Sequence, residues 1–191
     1  MVIGITGIIG SGKSTIANYT KQVTNGILID TDSLAKELMK PGKEIYKNVV
    51  DYFGEDILLE NGEIDRSKLS EIVFQNKDKL QKLNDITHSK VIDEVKKIIN
   101  TEKSNTIILE SALLFETELK ELCDVKLAIV TSYEEKKRRL MSNRGYSEEK
   151  VKNIISSQKT NEEFIEQADV VIENDNLEVA KIQVLNFLKK V

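Results

Sequence analysis

Scarce residue types limit what this chain can be. It has one cysteine, Cys123, so no internal disulfide can form and we expect a reducing, cytoplasmic setting. Cys123 lies just before an apolar segment with strand character, which favours a buried packing residue over a reactive thiol. The single proline, in Pro41-Gly42, is the only strong break early in a long helical stretch.

Long apolar runs and an excess of positive charge are also missing. No stretch approaches the roughly 20 apolar residues that span a membrane, and the apolar N-terminus has no basic start or cleavage site typical of a signal peptide. We therefore expect a soluble protein that binds no membrane. The formal net charge of −4 argues against a general nucleic-acid-binding surface. No heptad pattern predicts an oligomeric state.

What the chain does have is a regular alternation of short apolar segments with segments of helical period. Five of the apolar segments have strand character: Val2–Thr6, Gly26–Ile29, Thr106–Leu109, Val125–Val130 and Val170–Ile172. Ser14–Gln22 and Leu177–Lys190 are the clearest helices between and after them. This order predicts an α/β fold, a five-stranded parallel sheet wrapped by helices. The 191 residues suit a single domain, with a helical insert at about 33–100 and a second helical region at about 134–167.

The segment GIIGSGKS, residues 7–14, fits the pattern G-x-x-x-x-G-K-[ST]. It follows a predicted strand and opens a predicted helix, as a phosphate-binding loop does. Glycines allow the backbone to wrap around phosphate, and the start of the helix adds N–H groups and a positive dipole. Lys13 can reach the β- and γ-phosphates, and Ser14 can bind Mg²⁺ through its hydroxyl. The predicted contacts to ATP from this loop are Gly10, Ser11, Gly12, Lys13, Ser14 and Thr15.

Two acids follow the second predicted strand, Asp30 and Asp32. In an open α/β sheet the reactive groups lie beyond the carboxyl ends of the strands. If the strand continues, a spacing of two places both carboxylates on one side. One could take the proton of an acceptor hydroxyl and the other could help to hold Mg²⁺. Alternatively, either acid caps the helix that follows, predicted at Ser33–Met39.

The chain resembles the dephospho-coenzyme A kinase family over nearly its whole length. The motifs that carry the resemblance, in chain order, are Thr6–Thr15, Ile29–Asp32, Pro41-Gly42, Phe53-Gly54, Asn61–Leu69, Val73-Phe74, Leu83-Asn84, His88, Leu113–Glu116, Gln158, Ala168-Asp169 and Ile172–Asn174. The resemblance implies a P-loop kinase fold. It also implies the last step of coenzyme A synthesis, in which ATP phosphorylates the ribose 3′-hydroxyl of dephospho-coenzyme A. On this basis residues 33–100 bind the acceptor and residues 134–167 form a lid.

The resemblance also assigns roles to single residues. Asp32 is similar to the catalytic base of the family, and Lys13 to its phosphate-binding lysine. Arg66 and His88 resemble acceptor contacts, although a capping or surface role for Arg66 and a polar structural role for His88 remain open. Asn174 lies where the family approaches the adenine of ATP. Glu110 and Glu116 either influence Mg²⁺ or have a structural role.

Arginines in the predicted lid are candidates for stabilising the transferred phosphoryl group. Arg139 resembles a lid arginine that closes over ATP and counts with Asp32 and Lys13 as catalytic. The family has another arginine four residues later, where this chain has Asn143; Arg144, one place further on, is the substitute we predict for contact with ATP. The other interpretation is that these basic residues form a solvated helix face.

Two alternatives remain at this point. One is another small-metabolite or nucleotide kinase on the same scaffold, because the sequence does not show the acceptor pocket. The other is a nucleotide-dependent switch. A guanine-reading segment would be Asn-Lys-x-Asp, but the nearest string, Asn76–Lys79, ends in lysine and follows no predicted strand.

Overall fold

The computed structural model describes every residue from Met1 to Val191 and contains one five-stranded parallel sheet. The strands are β1 (Val2–Thr6), β2 (Ile27–Asp30), β3 (Ile107–Glu110), β4 (Val125–Val130) and β5 (Val170–Glu173). Their order across the sheet is β2-β3-β1-β4-β5. The predicted α/β class and all five strands are confirmed, with bounds that differ from the expected ones by at most one residue.

Nine α-helices surround or follow these strands. They are α1 (Lys13–Thr24), α2 (Thr31–Leu38), α3 (Glu44–Phe53), α4 (Arg66–Phe74), α5 (Lys77–Thr101), α6 (Tyr133–Arg144), α7 (Glu148–Ser156), α8 (Asn161–Ile165) and α9 (Leu177–Leu188). Short 3-10 turns occupy Glu55–Ile57, Leu114–Glu116 and Glu118–Leu122. None of the nine helices combines the length and the apolar composition that crossing a membrane requires.

The chain divides into two compact units. The first comprises Met1–Ile29 and Lys103–Val191, and the second comprises Asp30–Glu102. The predicted helical insert, residues 33–100, falls inside the second unit. The expectation of a single kinase domain that carries this insert stays a prediction.

The core of the first unit lies between the sheet and the helices α1 and α9. Ile3, Ile5 and Ile108 on the strands are completely buried, as are Ile16 on α1 and Val184 on α9. Strands covered on both faces are expected to be continuously apolar, and β1 is buried at all five positions. The strand ends at Thr6, and the glycine-containing loop begins at Gly7.

Cys123 packs within the first unit, although it is half-buried and not fully buried as predicted. Its Sγ donates a 3.3 Å hydrogen bond to the carbonyl of Leu119, and burial raises the pKa of its thiol to about 12. A side chain at Gly4 would approach Sγ to 2.6 Å, so the glycine makes room for the sulfur. A raised pKa disfavours the thiolate, which supports the packing interpretation of Cys123 over a reactive thiol.

The second unit consists of the helices α2 to α5, and side-chain caps define where three of them begin. Asp30, Asp65 and Asn76 accept hydrogen bonds from N–H groups in the first turns of α2, α4 and α5. Between α3 and α4 the chain turns at Gly62, which has φ 79°, and a single antiparallel bridge joins Leu58 to Ile64. No strand element forms here, in agreement with the sequence.

The condition under which Asp30 and Asp32 would share one side of a strand is not met. β2 ends at Asp30, and Asp32 lies in the first turn of α2. Oδ1 of Asp30 accepts from the N–H groups of Asp32 at 3.0 Å and Ser33 at 3.3 Å. The spacing argument was wrong because the capping carboxylate starts the helix immediately, and the alternative in which Asp30 caps is confirmed.

Candidate active site

The loop between β1 and α1 has the backbone that a phosphate cradle requires. Gly10 and Gly12 have φ of 81° and 88°, a left-handed conformation that favours glycine. Within the loop, the N–H of Ser11 donates to the carbonyl of Ile8 at 3.1 Å. Gly12 immediately precedes Lys13, the first residue of α1, so the loop delivers the chain to a helix start.

Arg139 on α6 is directed at this loop and not at solvent. Its Nη1 donates to the carbonyl oxygens of Gly10 at 3.4 Å and Ser11 at 3.2 Å, and its Nη2 donates to the carbonyl of Asn174 at 2.6 Å. Nε donates to Glu135 Oε1 at 2.7 Å. The side chain is only 17% exposed. A guanidinium held at three edges has little freedom, so its charge is fixed beside the loop.

Asn174 and Thr131 hold the same loop from the carboxyl ends of β5 and β4. Asn174 is 2% exposed, and its Nδ2 donates to the Ser11 carbonyl at 2.7 Å. Oγ1 of Thr131 donates to the same carbonyl at 3.1 Å. Oδ1 of Asn174 is buried and has no hydrogen-bond partner within the protein. A buried acceptor without a partner is costly, so this orientation of the amide is maintained by the bond from Nδ2 to Ser11.

A cavity of about 420 Å³ opens beside the loop. Its lining contains Ile9, Gly10, Gly12, Lys13, Ser14, Thr15, Arg138, Arg139, Leu140, Asn143, Arg144, Asn174 and Leu177. Four of these residues are basic. Both Asn143 and Arg144 line it, so the shift of the second arginine by one place leaves it at the cavity. A cavity of this size and charge suits an anionic ligand as large as a nucleotide.

Ser14, next to Lys13 in the first turn of α1, is hydrogen-bonded to a buried carboxylate. Its Oγ donates a 2.6 Å hydrogen bond to Oε1 of Glu110, the last residue of β3, which is 6% exposed. Lys13, the preceding residue, donates from Nζ to the carbonyl of Ile8 at 3.4 Å. A hydroxyl and a carboxylate are the oxygen donors that Mg²⁺ prefers, so this pair fits such an ion.

The charges on α6 are strongly paired. A hydrogen bond from Arg138, followed by one from Arg139, lowers the pKa of Glu135 to about 2, although partial burial acts in the opposite direction. Burial lowers the pKa of Lys136, whose Nζ donates to Asn161 Oδ1 at 3.2 Å. Glu135 therefore stays ionised at any pH near neutrality and keeps Arg139 oriented.

Comparison with known proteins decides the family. A family model described as dephospho-CoA kinase matches residues 1–179. The chain belongs to the dephospho-CoA kinase family.

One relative, a dephospho-CoA kinase from Fusobacterium nucleatum, is 43% identical over 180 residues, covering 93% of this chain and 92% of its own. A crystal structure from Thermus thermophilus has a TM-score of 0.84 and 28% identity and covers 100% of this chain and 96% of its own. The dephospho-CoA kinase from Campylobacter jejuni has a TM-score of 0.67 at 25% identity, with 99% and 96% covered. These matches extend along nearly the whole chain, so the family assignment covers both compact units.

The structure brings together most of the nucleotide-binding residues that the sequence predicted. Gly10, Gly12, Lys13, Ser14, Thr15, Arg139, Arg144 and Asn174 line the one cavity described above. Ser11 is the exception, because it is completely buried and contributes its carbonyl as the anchor for Asn174, Thr131 and Arg139. The predicted roles of these residues in a dephospho-CoA kinase remain predictions.

The predicted acceptor residues lie in the second unit. Asp32 is exposed on the first turn of α2, Arg66 is the first residue of α4, and His88 is half-buried within α5. A cavity of about 370 Å³ in this unit is lined by Ser33, Lys36, Glu37, Met39, Lys40, Pro41, Glu63, Ile64 and Arg66. Of the three predicted residues only Arg66 lines it.

Several residues at the site had no assigned role in the sequence. Thr131 directly follows β4, so the carboxyl-end rule for parallel strands could have indicated it. Glu135 stands four residues before Arg139, a spacing that predicts a helical ion pair. Gln158 is one of the motif residues that carry the family resemblance, but no role was assigned to it, because its contact with the loop joins residues 149 positions apart. Glu116, for which two roles were open, forms an ion pair with Lys159 at 2.9 Å.

Proposed function

We propose that this chain catalyses transfer of the γ-phosphoryl group of ATP to the ribose 3′-hydroxyl of dephospho-CoA, which gives CoA and ADP. The observation that carries the proposal is the cavity beside the phosphate-binding loop, in a chain that belongs to the dephospho-CoA kinase family. The loop glycines, Lys13 and the guanidinium of Arg139 form a cationic, donor-rich surface suited to a triphosphate.

The nucleotide would occupy this cavity with its phosphates on residues 10–15. Lys13 and Arg139 then face the charge that develops on the equatorial oxygens of the transferred group. Asn174 lines this cavity, and the family resemblance assigns it to the side of the adenine. Arg144 contributes a further cation from the last turn of α6.

Magnesium is the expected metal, held by Ser14 with Glu110 close to its hydroxyl. Mg²⁺ typically takes one or two protein oxygen ligands and completes its shell with water and phosphate oxygens. This agrees with the finding that no group of three or more His, Cys, Asp or Glu residues could hold a metal ion. When bound, the ion would neutralise charge on the phosphate oxygens.

Asp32 is the proposed base, a role that rests on the family resemblance. Its carboxylate would accept the proton of the 3′-hydroxyl as the hydroxyl oxygen forms a bond to the γ-phosphorus. The bond from that phosphorus to the β–γ bridging oxygen breaks, and ADP leaves. The transfer is direct and needs no covalent enzyme intermediate, so residues 134–167 would act as a lid that excludes competing water.

The acceptor would bind to the second unit, with Arg66 and His88 as contacts. Arg66 supports this role because it lines a cavity together with Lys36 and Lys40, and cations suit the diphosphate of dephospho-CoA. We also propose that the reaction takes place in the cytoplasm, since the chain has a single, free cysteine and no disulfide.

A direct assay tests the proposed function. The purified protein is mixed with Mg²⁺, ATP and dephospho-CoA, and ADP and CoA are followed by chromatography, with adenosine, AMP and shikimate as parallel acceptors. CoA formed only from dephospho-CoA is the expected result. ADP formed equally with another acceptor would indicate a different small-metabolite kinase, and preferential binding of GTP without any acceptor would indicate a switch.

The base is tested by Asp32→Asn, with Asp93→Asn as the control because Asp93 is an exposed residue on α5. We expect Asp32→Asn to bind ATP normally and to lose about 100-fold or more in kcat, as the loss of a general base does. Near-full turnover by this variant would remove Asp32 from the role.

A further inference from the structure

The phosphate-binding loop is held by a side chain that arrives from far along the chain. Oε1 of Gln158 accepts a 3.0 Å hydrogen bond from the backbone N–H of Ile9. Ile9 lies near the start of the loop and lines the nucleotide cavity. Gln158 lies in the short connection between α7 and α8, two residues beyond the last residue of α7.

The residues next to Gln158 are themselves anchored. Nζ of Lys159 forms an ion pair with Glu116 at 2.9 Å. Nδ2 of Asn161 donates to the Thr131 carbonyl at 3.0 Å, and its Oδ1 accepts from the buried Lys136 at 3.2 Å. We call residues 158–161 the clasp. The clasp contacts the segment that follows β3, through Glu116, and the segment that follows β4, through Thr131. These two contacts restrict the position of the Gln158 amide.

Thr131 connects the clasp to the middle of the phosphate-binding loop. Thr131, which receives the Asn161 bond, donates from Oγ1 to the Ser11 carbonyl at 3.1 Å. The loop is therefore fixed at two peptides, at Ile9 by an acceptor on its N–H and at Ser11 by donors on its carbonyl. Two fixed peptides separated by Gly10 restrict how the intervening glycine peptides can rotate.

Holding the Ile9 peptide matters because the loop binds phosphate with backbone N–H groups. The N–H group of Ile9 donates to Gln158 and is therefore not directed at phosphate. The Ile9 peptide is a fixed point of the loop, and the N–H groups that follow it are the ones available to bind phosphate. Without the acceptor, the glycine-rich loop would sample more conformations before binding. Ordering the loop on binding would then cost free energy and reduce its affinity for the triphosphate.

We propose that Gln158 is a positioning residue for phosphoryl transfer: it fixes the Ile9 peptide and thereby pre-organises the loop for the phosphates of ATP. The inference rests on the proposed function of the loop as the ATP site. Gln158 does not line the nucleotide cavity, so its effect would be transmitted through the backbone of the loop. The clasp also connects the loop to α6, the helix that carries Arg139 and Arg144.

The experiment compares Gln158→Met, which preserves length and removes the acceptor, with Gln158→Glu, which preserves an accepting oxygen. Gln75→Met, at an exposed glutamine after α4, is the matched control. Amide hydrogen exchange at Ile9 is followed by NMR on the protein without ligand. Binding of ATP and of adenosine is measured by NMR titration, and kcat and KM for ATP are determined with dephospho-CoA.

We expect Gln158→Met to accelerate exchange at Ile9 and to weaken ATP binding about three- to tenfold, the range for one lost neutral hydrogen bond. Adenosine, which has no phosphate, should bind as it does to the unaltered chain. Gln158→Glu should retain slow exchange at Ile9, and Gln75→Met should change nothing.

Unchanged Ile9 exchange in Gln158→Met would overturn the proposal. So would equal weakening of ATP and adenosine binding, which indicates general damage to the fold. Failure of the proposed function looks different: the unaltered chain would then form no CoA. Because amide exchange and ATP binding require no acceptor, they test Gln158 even in that case.

Discussion

The hydroxyl of Ser14 and the carboxylate of Glu110 are 2.6 Å apart, so the first turn of α1 is joined to the carboxyl end of β3. Glu110 is 6% exposed, whereas Ser14 is exposed. A buried carboxylate that accepts from the hydroxyl fixes the direction of the oxygen lone pairs on Ser14. If Ser14 binds Mg²⁺, Glu110 orients this ligand and adds negative charge near the ion.

Glu110→Gln should therefore raise the Mg²⁺ concentration needed for half-maximal turnover about tenfold or more, as is usual for residues that support a metal ligand. The measurement is turnover against Mg²⁺ at constant ATP. Glu121→Gln, at an exposed position in a 3-10 turn, serves as the control and should leave the curve unchanged. An unaltered Mg²⁺ dependence in Glu110→Gln would assign this carboxylate to the structure of the loop alone.

Arg139→Lys tests whether the fork of the guanidinium is required or only its charge. Lysine donates from a single nitrogen and cannot reproduce the three nitrogens that join Arg139 to Glu135, Ser11 and Asn174, so the cation would lose its fixed position beside the loop. We expect kcat/KM for ATP to fall at least about 100-fold, consistent with an arginine that stabilises phosphoryl transfer. The protein should remain folded by circular dichroism.

Arg138→Lys is the comparison for that variant. The Arg138 guanidinium donates only to Glu135 and its side chain is 66% exposed, so its replacement should cost much less than that of Arg139. Both variants keep the positive charge, so unchanged kcat/KM in Arg139→Lys would show that charge alone suffices, and equal losses at the two positions would show that the bonds of Arg139 to the loop give it no special role.

Local sequence signals account for the parts of the structure that were predicted well. β1 and β4 have the expected bounds because each is a short run of mostly β-branched and aliphatic residues, which is typical of a buried strand. The phosphate-binding loop was predictable because its lysine, serine and glycines are contiguous. The end of β2 was less certain, since Asp30 can either continue a strand or cap a helix, and the capping hydrogen bonds decided between them.

Contacts between distant segments account for what was not predicted. Arg139 was expected on a lid, and the structure shows it bonded to backbone carbonyls of the loop 128 and 129 positions away. The Gln158 contact spans a similar separation. Neither follows from helical or strand periodicity, because both depend on how α6 and the α7–α8 connection pack against the sheet.

The ionisation of Glu135 predicts how stability depends on pH. Its pKa lies at about 2 in the folded chain, below the ordinary value of 4.5, because of hydrogen bonds from Arg138 and Arg139. A lowered folded-state pKa stabilises the protein fully above the unfolded value, and this contribution is lost as pH falls from about 4.5 towards 2. The contribution should be below about 1 kcal/mol because the pair is partly solvated.

Glu135→Gln isolates this contribution. Thermal unfolding of both proteins between pH 7 and pH 3 should show a lower Tm for Glu135→Gln above pH 5, with the difference shrinking as the pH falls below about 4.5. Other acids titrate in the same range, so the difference in Tm between the two proteins is the informative quantity. A difference that is constant with pH would mean that Glu135 contributes by packing and not by its charge.

Gly12→Ala tests whether nucleotide binding depends on the close packing of Asn174 and Arg139 against the loop. A Cβ at Gly12 would lie 2.3 Å from Nδ2 of Asn174 and 3.3 Å from Nη1 of Arg139, and the residue has φ 88°. The methyl group would displace the amide that holds the Ser11 carbonyl, so both the loop and Arg139 must move. We expect ATP binding to be lost at concentrations that saturate the unaltered protein.

Gly42→Ala separates this clash from the cost of the backbone conformation. Gly42 has a similar φ of 83°, but nothing lies within 4 Å of the position that its Cβ would take. Its replacement should lower stability by about 1 kcal/mol, the cost of a left-handed conformation for a residue with a side chain. ATP affinity should not change. If Gly12→Ala instead resembled Gly42→Ala in both stability and ATP affinity, then the packing of Asn174 and Arg139 against the loop would not determine nucleotide binding.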